Sequence, residues 1–252
     1  MLRLVTIPIS HYCEKARWAL QRAGISYREE PHVQGIHRLA ARHAGGGDTV
    51  PVLVTGEGVI DDSSRILDWV DERTPPQSRL FPDEPAKRHE VQRLCARFDA
   101  ELGPRGRRLI YVHMLAVPEV MLPFNNVGVP GWEDRFLRHG WPLAVRFARH
   151  ALDIRPGVEV GDEAAVWREF DFVGDLLSDG RPFLCGERFT AADLTFASLA
   201  APMIAPREYG VRLPQPDALP PATAALMTRG REHPAGRYAV GLFAQRRRER
   251  VV

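Results

Sequence analysis

The apolar pattern of this 252-residue chain changes character once, near residue 80. Before that point short β-branched runs alternate with segments of helical period; after it only the helical period recurs. Residues 2–7 are mostly apolar or β-branched and predict a strand. Ser10 then precedes Ala16, Ala19, Leu20 and Ala23 at helical spacing, with Gly24 as the stop signal. Residues 25–30 can supply a second strand, 35–43 a short helix and 50–54 a third strand. Thr55-Gly56-Glu57-Gly58 offers turn chemistry for a hairpin into Val59-Ile60. From Asp62 the spacing of Ile66, Leu67, Trp69 and Val70 is helical again, so the predicted order is βαβαββα.

Two parallel units followed by a hairpin and a helix make an α/β thioredoxin-like domain, expected over residues 1–75. Pro75-Pro76, Pro82 and Pro85 mark a linker at 76–85. Residues 86–252 are expected to form a second, all-α domain, with helix-period apolar positions in 86–115, 132–152 and 162–178. Residues 122–132, rich in Pro, Gly and Asn, predict an irregular connection inside it.

A net charge of +2 leaves no large single-sign field, so nucleic acid is not an expected partner. Cys13, Cys95 and Cys185 are too few and too far apart for a disulfide framework, which points to a reducing compartment, the cytoplasm. The N-terminus is too quickly interrupted for a signal peptide, and no apolar run reaches membrane-spanning length, so no membrane is expected. No His pair or Cys-x-x-Cys has metal-ligand spacing, so a metal is not expected either.

Three short segments carry chemistry. A helix N-terminus exposes unpaired N–H groups and a partial positive charge, which stabilise a thiolate held there. Ser10 lies at that point and can donate a hydrogen bond to a bound sulfur anion, or simply cap the helix. Cys13, one turn inside, reads either as a small buried apolar side chain or as a reactive thiol. Val50-Pro51 opens a strand, where proline is tolerated; a cis bond there would also turn the Val50 main chain outward, to pair with an extended peptide. Asp62-Ser63 caps the third helix, and the same N-terminus suits a carboxylate while Asp62 suits an ammonium group.

Ser10-x-x-Cys13 with Arg17, Thr49-Val50-Pro51-Val52-Leu53 and Asp62-Ser63-x-x-Ile66 together resemble the N-terminal domain of the cytosolic glutathione transferases, of the serine type. Further on, the run from Phe183 to Thr195 resembles that family's C-terminal capping motif, with Thr190 as cap, Asp193 returning a hydrogen bond and Phe189 packing on Leu194. The resemblance covers residues 1–72 and 162–205. It implies glutathione as co-substrate, Ser10 as the group bonded to its sulfur, Val50 and Pro51 at its peptide, and Asp62 and Ser63 at its γ-glutamyl end. Asp62 stands where the family commonly has Glu. The Ser-Ser-Cys of the maleylacetoacetate-isomerase class is replaced by Ser10-His11-Tyr12, so that isomerase activity is not carried over. A homodimer is expected by the same analogy.

The first expected function is therefore a detoxifying glutathione transferase whose thiolate attacks an apolar small electrophile, held against Tyr12, Tyr111, Met114 and Leu115. A thiol-disulfide reductase using Cys13, and a non-catalytic ligand- or protein-binding module of the same fold, are the alternatives.

Overall fold

The computed structural model describes residues 1–251. Four strands, β1 (Leu2–Thr6), β2 (Tyr27–Pro31), β3 (Val52–Val54) and β4 (Val59–Ile60), form one sheet in the order β2-β1-β3-β4. β1 is parallel to β2 and antiparallel to β3, and β3 is antiparallel to β4. Side chains alternate between the faces as the pleat requires. Leu4 and its register partner Leu53 face α1 (His11–Arg22) and α3 (Ser63–Glu72), where Ala16, Leu20, Ile66 and Val70 complete a buried layer. Val5 and Val52 face α2 (Ile36–His43), packing on Ala41 and Ala44.

This topology places four chain segments at one edge of the sheet. The carboxyl ends of β1, β2 and β4 point the same way as the amino end of β3. The segments leading into α1, α2 and α3, and the residues just before β3, therefore line up along that edge in strand order.

The rest of the chain is helical: α4 (Pro85–Arg97), a π-helical turn at Phe98–Leu102, α5 (Gly103–Met114), α6 (Pro118–Asn125), α7 (Gly131–His139), α8 (Trp141–Ala151), α9 (Val158–Leu176), α10 (Ala191–Ile204), α11 (Pro221–Glu232) and α12 (Pro234–Arg246). As expected, a thioredoxin-like sheet domain is joined to an all-helical one. α10 is the axis of the helical part, and all but Pro202 of its residues are buried. It starts with the expected capping box: the Thr190 side chain accepts from the backbone at Asp193, and Asp193 accepts from the Thr190 N–H at 2.7 Å. α11 and α12 meet at Gly230 and Gly236; a Cβ on Gly236 would land on the Gly230 carbonyl, so only glycine permits that approach.

Sheet and helices share one core. Trp18 of α1 stacks on Phe189 and on Phe243 of α12, with ring centroids 6.0 and 4.8 Å apart. Buried Glu14 of α1 takes hydrogen bonds from the Gly210 N–H at 3.0 Å and from Arg247 at 2.5 Å. A buried charge of this kind persists because its partners are fixed with it.

One expectation needs correction. Residues 122–132 are not wholly irregular: α6 continues through Pro123 to Asn125, and α7 begins at Gly131. An interior proline costs a helix about 3 kcal/mol. Here Pro118 at the first turn fixes the start, and Met121 and Leu122 are almost fully buried, which offsets that cost.

Candidate functional site

A cavity of about 310 Å³ lies between the sheet edge and the helical domain. Ile7, Ile9, Ser10 and His11 line it from the start of α1, Thr49 and Val50 from the segment before β3, and Gln34, His37 and Arg38 from the α2 side. Opposite them stand Arg107, Ile110, Tyr111 and Met114 of α5, with apolar side chains of α6, α8 and α10.

Ser10 is the N-cap of α1, with extended φ and ψ of −68° and 122°. Its Oγ accepts from the Cys13 N–H over a long 3.4 Å, and the residue lines the cavity. Cys13 lies elsewhere. Its side chain is fully buried in the core behind the helix start, and burial pushes its thiol pKa up, against the pull of the Arg17 charge and the Ser10 hydrogen bond. Burial and the raised pKa weigh against Cys13, the alternative to Ser10, as an attacking thiol.

Val50 precedes β3, and the Val50–Pro51 peptide bond is cis. Among the described residues no main-chain group bonds the Val50 N–H or C=O. Asp62 caps α3, accepting from the Ser64 and Arg65 N–H groups at 2.9 and 3.0 Å, and is exposed; Ser63 is buried. Pro51, Asp62 and Ser63 lie outside the cavity lining, at the β4 end of the same edge.

Two of the four expected pocket residues are misplaced. Tyr111 and Met114 line the cavity; Tyr12 and Leu115 do not. Tyr12, the second residue of α1, is turned toward the helical domain, packs on Gly103 and donates to the Asp99 carbonyl at 3.0 Å. Leu115 belongs to the apolar cluster around Met121 and Met227.

Several residues around the site carried no sequence signal. Lys15, one of the chain's two lysines, is fully buried and donates to Ser64 at 2.8 Å and to both Asp99 oxygens at 2.9 and 2.8 Å, tying the head of α3 to the π turn. Gln34 donates to the Tyr111 hydroxyl at 2.9 Å and accepts from Asn125 at 2.8 Å, closing the wall between the α2 side and α6. Tyr209 lines the cavity, but its hydroxyl is committed to the Ile9 carbonyl at 3.1 Å.

His11 donates through Nε2–H to the Gly103 carbonyl at 3.1 Å. Burial first, and the Arg107 charge second, lower its pKa from 6.5 to about 3. The unfolded chain binds this proton near pH 6.5 and the folded chain does not until about 3. Acidification through that window therefore removes stability, at about 1.4 kcal/mol per pH unit for a fully shifted site. His11→Gln keeps a donor for Gly103 and loses the proton, so its urea midpoint is expected to fall less than that of the native protein between about pH 7 and about pH 4. Equal falls would remove His11 from this role.

Residues 4–78 match the model of the glutathione S-transferase N-terminal domain. That segment of the chain is a glutathione S-transferase N-terminal domain. A probable maleylacetoacetate isomerase of Vibrio cholerae is 31% identical over 106 residues, 42% of this chain and 46% of that protein, so the match spans just under half the relative's length. Among solved structures, a glutathione S-transferase of Sinorhizobium meliloti superposes with a TM-score of 0.60 at 18% identity, covering 97% of this chain and 98% of that one. One from Xanthobacter autotrophicus gives 0.57 at 18%, covering 97% and 93%. At such identities the likeness is one of fold. No helix among the described residues is long and apolar enough to cross a membrane, and no group of three or more His, Cys, Asp or Glu among them could hold a metal ion.

Proposed function

We propose that this chain is a glutathione transferase that holds the glutathione thiolate at Ser10 and directs it at an electrophile seated among Tyr111, Met114 and the apolar helical wall. The observation that carries this reading is the cavity itself: it is lined at the head of α1 by Ser10 and on the facing side by largely apolar residues of the helices. A thiolate at the head of α1 meets the partial charge of the helix and one hydroxyl donor. An electrophile on the facing side sheds water from its apolar surface.

The order of groups along the sheet edge supports the same ligand. From β4 to β2 it runs Asp62 and Ser63, then Val50, then Ser10, then His37 and Arg38. The γ-glutamyl head, the cysteinyl main chain, its thiol and the glycyl carboxylate meet those groups in that order. Three inter-strand spacings make about 14 Å, close to the roughly 11 Å of three extended residues plus the added reach of a γ-linkage. Asp62 meets the ammonium group, the Ser63 end of α3 the glutamyl carboxylate, Val50 the peptide, and Arg38 the terminal carboxylate.

The thiol proton leaves to solvent, the thiolate lone pair forms the new C–S bond, and the pair displaced at that carbon departs with the leaving group. His11, held neutral, takes no part as a charged group. By this reading detoxification, a homodimer and a cytoplasmic setting follow as proposals of the same kind.

The test is turnover of glutathione with a panel of electrophiles, combined with mass spectrometry after treatment with oxidised glutathione. Conjugation without an adduct at Cys13 is expected. A glutathionyl adduct on Cys13 would support the reductase reading, and retention on glutathione resin with no turnover of any electrophile the non-catalytic one.

A further inference from the structure

Three arginines follow one another closely on α5, and two have acidic partners. Arg105 pairs with Glu101 at 2.8 Å, and Arg108 makes a two-pronged pair with Asp162, 2.6 Å from each oxygen. Arg107, between them in sequence, lines the cavity. It makes no ion pair or hydrogen bond among the described residues, and its Nε is buried without a partner. It shares that lining with Ser10, His11 and Tyr111, and its positive charge disfavours protonation of His11.

The other charges on the lining do not answer it. Arg38 and Asp48 compensate each other at 3.6 Å on the α2 side, and Arg42 adds a second cation to Asp48. His37 is half-buried and its Nδ1 accepts from the Gly35 N–H at 3.1 Å. The helical wall that carries Arg107 is otherwise largely apolar, with Ile110, Met114, Met121 and Phe124 on the same lining. A half-buried guanidinium in an apolar wall is costly unless a ligand completes it, and its planar fork suits a carboxylate.

We propose that Arg107 is a specificity-determining residue, selecting electrophiles that carry a carboxylate beside an apolar body. The inference rests on the transferase reading and names its substrate class. With an aryl chloride as probe, the thiolate pair forms the C–S bond at the chlorine-bearing carbon and chloride leaves with the C–Cl pair. The carboxylate stays on the ring, paired with Arg107, and is neither formed nor consumed.

The experiment separates this inference from the reading beneath it by using binding as well as rate. Dissociation constants of S-hexylglutathione and S-(5-carboxypentyl)glutathione are measured by calorimetry for the native protein, Arg107→Met and Arg107→Lys. A charge-assisted bond of about 1.5–3 kcal/mol corresponds to roughly 10- to 100-fold in affinity. The ratio of the two constants is therefore expected to shift against the carboxylated ligand by at least tenfold in Arg107→Met, and by less in Arg107→Lys. The relative kcat/KM for 4-chloro-3,5-dinitrobenzoate and 1-chloro-2,4-dinitrobenzene is expected to shift the same way. An unchanged ratio, with both ligands bound by all three proteins, overturns the role of Arg107 and leaves the transferase reading standing. Loss of both ligands together in Arg107→Met, with the fold intact by circular dichroism, assigns Arg107 to glutathione itself and also overturns it. Failure of the native protein to bind either ligand overturns both.

Discussion

Ser10→Ala is expected to slow conjugation at neutral pH by roughly 10- to 100-fold while glutathione affinity changes by less than about threefold. A hydrogen bond to a charged sulfur is worth about 1.5–3 kcal/mol, or one to two units of thiol pKa, and it acts on the thiolate far more than on the thiol. The bound thiol should therefore titrate higher in the variant, so that less of it is thiolate at neutral pH. It should still titrate below a free thiol, near 8.5, because the head of α1 remains in place. Loss of the cap costs at most about 1 kcal/mol of stability, given the long 3.4 Å bond to Cys13. Ser10→Thr retains a hydroxyl and should recover most of the rate. Equal activity in Ser10→Ala would move the chemistry away from this residue.

The largest expected loss of stability is far from the cavity, at Asp193. Its carboxylate is fully buried and accepts from the Leu184 N–H at 2.8 Å, the Thr190 N–H and hydroxyl at 2.7 and 2.8 Å, and the Tyr238 hydroxyl at 2.5 Å. Burial raises its pKa, and these four bonds pull it back toward the charged form. Asp193→Ala leaves the Leu184, Thr190 and Tyr238 donors without a partner in the core and breaks the reciprocal half of the α10 capping box. At about 1–3 kcal/mol per stranded donor, with partial relaxation, the cost is about 3–5 kcal/mol. For a chain of this size that is a fall in melting temperature on the order of 10 °C, measured by calorimetry or circular dichroism. A loss below about 1 kcal/mol would show that the donors find other partners.

Both sites were readable because local rules fix them. The capping box at Thr190 and Asp193 is written in four residues, and Ser10 stands at a strand-to-helix turn that period and cap chemistry locate together. The sheet domain was legible for the same reason, with strand and helix periods alternating over short segments. Across the cavity the sequence is silent. Lys15 and Asp99 lie far apart in the chain and meet only when the π turn docks on α1 and α3. Arg107 is distinguishable from Arg105 and Arg108 only by where α5 turns it, since nothing local says which of the three lacks an acid. Tyr12 was misassigned because it follows the helix start by two residues, and a helix turns about 100° per residue, so it faces the helical domain while Ser10 faces the cavity. The 122–132 segment was misread because its prolines and glycines are helix breakers locally, whereas the burial of Met121 and Leu122 is a tertiary effect.

The central claim is that the opening of α1 acts through Ser10 on the thiol of a bound ligand, and not through Cys13. A crystal structure with glutathione bound tests it most directly. The ligand sulfur is expected within about 3.5 Å of Ser10 Oγ, with its main chain paired to Val50. A sulfur bonded to Cys13, or a ligand seated away from the head of α1, would contradict the account.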